Sequence, residues 1–252
     1  MIDPFPSSKF ICSSKIDKDK VDIIATGGRA VAGVTKEVVF ETNINNTFRV
    51  IFDNGITPEG FSYLFVIDSK ATVGCAILKS FSQINNIMKW AIERFREIEK
   101  FEINNPKETV SYVDFYLPKS AKFKNKLLIG EAGGFQDYLF GLGIRISITS
   151  GFLAAKSIVE NMDYDKLWKS ELASKMKMSI VNRFLYEIGG NKSLALFNRR
   201  AQKVDFKEFG YDLYRPRLIK KILFPLITLM WKNYSGCVHG ESCLWCRRKS
   251  GK

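Results

Sequence analysis

Five glycines, Gly130, Gly133, Gly134, Gly141 and Gly143, fall within fourteen consecutive positions. They follow the apolar run Lys126-Leu-Leu-Ile and precede a stretch, about 142–161, in which Ile144, Ile148, Phe152, Ala155 and Val159 recur at helical spacing. Glycine ends a strand and lets the backbone turn tightly. The pattern therefore predicts a strand, a glycine loop and a helix in immediate succession, with those five apolar residues on one helix face.

The flanking sequence predicts an α+β chain. Val21-Asp-Ile-Ile-Ala-Thr-Gly-Gly reads as a short buried strand running into a glycine turn. Residues 37–42, 47–53, 61–68 and 71–78 are rich in Val, Ile, Phe and Tyr and are separated by turns such as Asp53-Asn-Gly. They predict an antiparallel sheet. Ile84, Ile87, Met88, Ala91, Ile92, Phe95 and Ile98 predict a helix within 82–102 that stops before Asn104-Asn-Pro106, and residues 109–117 predict a further strand. Two or three helices are expected over 164–206, interrupted at Gly189-Gly190, and a basic helical region follows.

Composition narrows the chemistry. His239 is the single histidine, so no Ser-His-Asp or Cys-His triad and no multi-histidine metal site can be built in the body of the chain. Enzymatic chemistry here would rest on a bound cofactor. Of the formal net charge of +13, residues 192–252 carry +10. Such a region suits an anionic ligand, an anionic membrane surface or a solvated basic face. Nucleic acid is disfavoured, because no recognition motif accompanies the charge. The N-terminus, Met1-Ile-Asp-Pro, lacks a signal-peptide pattern, and the apolar run 222–231 is too short to span a bilayer. The expectation is a cytoplasmic protein able to touch a membrane surface. Lys220-Lys-Ile-Leu-Phe-Pro reads either as an interfacial segment or as a buried helix split by Pro225.

Two further features carry candidate chemistry. Cys237, His239, Cys243 and Cys246 are potential ligands for zinc or an iron–sulfur cluster, or alternatively reduced structural thiols or a disulfide. Cys12 and Cys75 are isolated and read as packing residues. The glycine loop suits the close approach of a phosphate or a flavin, and Gly143 opens a helix whose dipole favours negative charge. Glu131 is placed to accept hydrogen bonds from ribose or ribityl hydroxyls. Spacing alone equally allows a close-packed turn without a ligand.

Leu127-Leu-Ile-Gly-Glu-Ala-Gly-Gly, then Gly141-Leu-Gly-Ile, then Ser150-Gly-Phe-Leu-Ala-Ala resembles the second flavin motif of the geranylgeranyl reductase family. That family belongs to the FAD-dependent oxidoreductases related to aromatic hydroxylases and lycopene cyclases. Glu131 stands where the family usually has Asp. Asp22-Ile-Ile-Ala-Thr-Gly resembles the strand and turn beside the dinucleotide, and Phe61-Ser-Tyr63-Leu-Phe65 resembles the aromatic substrate-anchoring stretch, without its final proline. The resemblance covers about residues 20–160. It implies FAD contacts at Gly130, Glu131, Ala132, Gly133, Gly141, Gly143 and Ile144, with Ala25, Thr26 and Gly27 beside them. Phe61, Tyr63 and Phe65 become candidate substrate-pocket residues, although an aromatic row in a sheet is more often ordinary core.

The chain has no Gly-x-Gly-x-x-Gly half, which in such proteins holds the FAD pyrophosphate over a first ~100 residues. The expected organisation is a remnant of the FAD-binding domain at 1–35 and a substrate sheet with one helix at 36–118. The second FAD motif follows at 119–162, and a helical basic region with a cysteine-rich end at 163–252. The resemblance implies an α/β flavoprotein fragment that reduces isoprenoid double bonds by hydride transfer from reduced FAD, completed by a separate chain carrying the missing half. The alternatives are an FAD-dependent monooxygenase and a non-catalytic assembly piece with a metal-bound tail.

Overall fold

A computed structural model describes residues 21–230. Five strands form a sheet in the order β3-β4-β5-β2-β6. They are β2 (Gly33–Glu41), β3 (Thr47–Ile51), β4 (Phe61–Ile67), β5 (Lys70–Ile77) and β6 (Asn104–Val113). Every pairing is antiparallel, as the alternation and the Asn/Asp/Gly turns require. Pro106 lies in β6, an edge strand, where its missing N–H breaks no ladder.

Helix α1 (Ile84–Ile98) crosses one face of this sheet. Its Ile87, Met88 and Phe95 bury against Val34, Val38, Leu64, Val66, Val73 and Cys75. The helix and sheet periods thus agree on one shared core. Because a strand's side chains alternate, Phe61, Tyr63 and Phe65 fall on the opposite face.

A second sheet has three short strands, β1 (Ile23–Ile24), β7 (Lys122–Phe123) and β8 (Lys126–Leu128), in the order β1-β8-β7. β1 and β8 run parallel, with Ile23 opposite Leu127. Helix α2 (Ile144–Val159) follows β8 after the glycine loop. α3 (Tyr164–Glu171) is capped by the Asp163 carboxylate, which accepts from the Lys166 N–H. α4 (Ala173–Ala201) kinks at Gly190, whose φ is 50° and ψ −138°. α5 (Phe206–Tyr214) is capped by Asp205, and α6 (Leu218–Met230) closes the described chain. The main core gathers Phe115, Phe135, Tyr138, Leu153, Ala154, Trp168, Met176 and Ile227 from these elements.

The apolar residues of α2 share one face, as their spacing predicts, but that face does not turn to the core: Ile144, Ile148, Phe152 and Val159 are 80, 69, 67 and 84% exposed. The buried side is Ser150, Leu153, Ala154 and Ser157, small enough to lie close against the loop. Nor does Pro225 split the last helix. α6 runs through it, with Ile227 buried and much of the opposite face exposed.

Candidate flavin and substrate site

β8 delivers the chain into a tight 3-10 turn, Gly130–Gly133. The Phe135 N–H returns to the Gly130 carbonyl at 2.9 Å. β1 runs alongside, its Ile24 carbonyl accepting from the Ile129 N–H at 3.0 Å. The turns at Ala25-Thr26-Gly27 and Gly130-Glu131-Ala132-Gly133 are thereby brought together by a parallel pair of strands.

Glu131 binds the two turns to each other. Its Oε1 accepts the backbone N–H of Asp114, and the carboxylate also accepts from the Gly28 N–H. Burial pushes the Glu131 carboxyl above the usual range; the Asp114 N–H opposes that and the Asp114 charge adds to it. Asp114 in turn accepts from the N–H groups of Arg29 at 2.7 Å and Ala30 at 3.0 Å. Asp114, the residue just past the end of β6, had no sequence signal beyond a charge beside apolar residues. Glu131 therefore acts first as a backbone clamp in the role where the sequence placed a hydroxyl acceptor.

The start of α2 is open chemically. Gly143 is its N-cap residue and no side chain caps the first turn. A Cβ on Gly143 would sit 1.6 Å from Gln136 Oε1, so only glycine lets that amide lie against the helix start. Gln136 is buried, and its Oε1 has no hydrogen-bond partner. The first turn has no acid and carries the exposed Arg145. A cation there opposes the helix dipole, so the arrangement suits a bound anion. The uncapped amides and Arg145 fit the anionic parts of a flavin cofactor. Ile144, at the same place, is exposed.

The outer face of the sheet carries an aromatic row. Tyr63 stacks on Phe65 with centroids 4.9 Å apart, Phe61 lies 5.9 Å from Tyr63, and Phe48 of β3 extends the row beyond Phe65 at 5.6 Å. The Tyr63 ring rests on Gly74, where a Cβ would stand 2.4 Å from its Cζ. Its hydroxyl donates to Glu37 Oε1. Burial first, then the Glu37 carboxylate, push its ionisation far up, so it stays a donor. Cys75 is buried on the other face, and burial pushes its thiol up to about 11.

Phe140 connects the row to the glycine loop. It lies between Tyr138 and Gly141 and meets Phe61 at 5.8 Å and Phe52 at 5.1 Å. Phe197 of α4 closes the cluster at 5.9 Å from both Phe52 and Phe140. Phe52, Phe140 and Phe197 were missed in the sequence; the available signal was an aromatic residue inside an otherwise glycine-rich loop. Nearby, a cleft of about 270 Å³ is lined by Asn54, Pro58, Glu59, Lys79, Tyr186 and Glu187. Buried Arg183 ties its walls together, donating from Nε to Glu187 at 2.6 Å and from Nη2 to the Glu59 carbonyl at 2.8 Å.

Cys237, His239, Cys243 and Cys246 lie outside the described residues. Among the described residues no group of three or more His, Cys, Asp or Glu side chains could hold a metal ion, and no helix is long and apolar enough to cross a membrane.

No protein-family profile matches the chain, and no curated protein matches it. Solved structures do. A flavin-dependent brominase, a triple mutant, is 11% identical with a TM-score of 0.51, covering 81% of this chain and 61% of its own. A geranylgeranyl bacteriochlorophyll reductase-like protein from Thermoplasma acidophilum is 19% identical, with a TM-score of 0.47 over 62% of this chain and 44% of its own. A flavin-dependent halogenase from Xanthomonas campestris is 12% identical, with a TM-score of 0.46 over 88% and 42%. Two of these neighbours are flavin-dependent by name, and the likeness of this chain to the brominase is one of fold alone. The chain spans about 42 to 61% of the length of these three proteins.

Proposed function

We propose that this chain is the substrate sheet and second flavin-binding portion of an FAD-dependent oxidoreductase that reduces an isoprenoid double bond. The observation that carries the reading is the contact between Phe61 and Phe140, which sets the aromatic face of the sheet against the glycine loop. A reduced flavin, when bound, supplies a hydride, and the second alkene carbon takes a proton. The chain's own part is to hold and orient. The first-turn amides of α2 and Arg145 hold negative charge, and Glu131 fixes the two turns against each other. The row from Phe48 to Phe61 offers an apolar track on which a prenyl chain excludes water.

The exposed stripe of α2 and the position of β1 at the edge of its sheet support completion by a dinucleotide-binding unit. Parallel strands are normally covered on both faces, and an edge strand offers free backbone groups to a further strand.

The test is anaerobic incubation of the chain, joined by a dinucleotide-binding unit that completes it, with chemically reduced FAD and a geranylgeranyl lipid, read by mass spectrometry. Gain of two hydrogens per reduced double bond, diminished by Phe140→Ala, is the expected result. An unchanged lipid, or oxygen-dependent addition of an oxygen atom, would overturn the reductase reading, and the second outcome would identify a monooxygenase.

A further inference from the structure

We infer that α6 is an interfacial helix that docks the protein on an anionic lipid bilayer. Its inner side, Leu223, Phe224 and Ile227, packs on the main core. The opposite side presents Leu218, Ile219, Ile222, Leu226 and Leu229, from 50 to 81% exposed. At 3.6 residues per turn these five side chains fall within an arc of about 100°, one continuous apolar stripe. Exposed Pro225 extends it on one edge.

The charge beside the stripe identifies the occupant. α6 contains no Asp or Glu, and its N-terminal end carries exposed Arg215, Arg217 and Lys221. Over the described residues 192–230, nine Lys and Arg stand against three Asp and Glu. An apolar face with a basic border is the composition of a helix lying in the headgroup region, where aliphatic side chains enter the acyl boundary and cations meet anionic lipid. A docking site for a folded protein would instead centre on aromatic or Arg anchors within a polar rim, and this stripe is purely aliphatic. The helix spans about 20 Å at 1.5 Å per residue, short of a bilayer crossing but suited to lying in its plane.

The inference stands apart from flavin binding and is tested apart from it. The full chain is mixed with vesicles of phosphatidylcholine alone or with 30% phosphatidylglycerol and separated by flotation. Binding to the anionic vesicles at low salt is expected, with loss at high salt. Ile222→Glu and Leu226→Glu, on exposed positions that leave the core untouched, are each expected to weaken it about tenfold, and Lys221→Glu several-fold. Circular dichroism confirms that each variant is folded. The inference is overturned if the chain ignores anionic vesicles at low salt, or if the α6 variants bind as the wild type does. It is equally overturned if the stripe mediates self-association in place of lipid binding.

Discussion

The ring of Phe140 stands edge-on to that of Phe61, with centroids 5.8 Å apart and planes at 82°. This contact helps fix the loop that follows β8 against the outer face of the five-stranded sheet. Phe140 also touches Phe52 and Phe197, so it ties three parts of the chain together. Phe140→Ala is expected to destabilise the fold by about 1–3 kcal/mol, below the full-burial figure because Phe140 is half-exposed. Urea unfolding measures it. An unchanged midpoint would show that the cluster does not join loop and sheet.

The Tyr63 ring occupies the space above Gly74. Gly74→Val places methyl groups where the ring lies and has no slack to absorb them, since a Cβ alone would stand 2.4 Å from Cζ. A loss of about 1–3 kcal/mol is expected, with Tyr63 turned off Glu37. The tyrosine's ultraviolet titration reports the second effect: the hydroxyl ionises at lower pH in the variant than in the wild type.

Arg183 is almost wholly buried, with Glu187 and Glu59 beside its guanidinium. Removing it leaves buried carboxylates without their cation, and Arg183→Met is expected to destabilise by about 3–5 kcal/mol. Arg183→Lys is expected to rescue little, because one ammonium cannot reach Glu187, the Leu139 carbonyl and the Glu59 carbonyl together.

The Glu131 carboxyl holds its proton to a higher pH in the folded chain than in the unfolded one, burial being the main cause. A raised carboxyl pKa contributes stability below the unfolded value that is lost as pH rises through the folded one. Glu131→Gln removes that dependence and keeps an acceptor for the Asp114 N–H. The stability of the wild type relative to Glu131→Gln is therefore expected to fall as pH is raised from 3.5 to 7. Thermal unfolding across that range checks it, and a constant difference would contradict the assignment.

Local chemistry made much of the fold legible. Asp53-Asn-Gly and the alternation of Phe61-Ser-Tyr63-Leu-Phe65 specify a turn and a strand without reference to the rest of the molecule, and both occur where expected. The glycine loop was legible for the same reason. The spacing in α2 records that a face is apolar, not whether this chain covers it. Asp114 acts through partners 17 or more positions away, Arg183 reaches the Leu139 and Glu59 carbonyls across 44 and 124 positions besides its helical neighbour Glu187, and Gln136 lies against a glycine that only the folded chain brings near. Helix and strand periods carry no trace of such pairs.

In the proposed function the start of α2 and its loop hold a flavin. The most direct measurement is a titration of FAD fluorescence with the purified chain and with Ile144→Glu. Ile144 is exposed, so the variant leaves the core intact, and an acid in the first turn favours the helix. Saturable quenching by the wild type and at least several-fold weaker binding by the variant are expected, with thermal stability kept. Absence of quenching, or equal affinity in the two proteins, would contradict that reading.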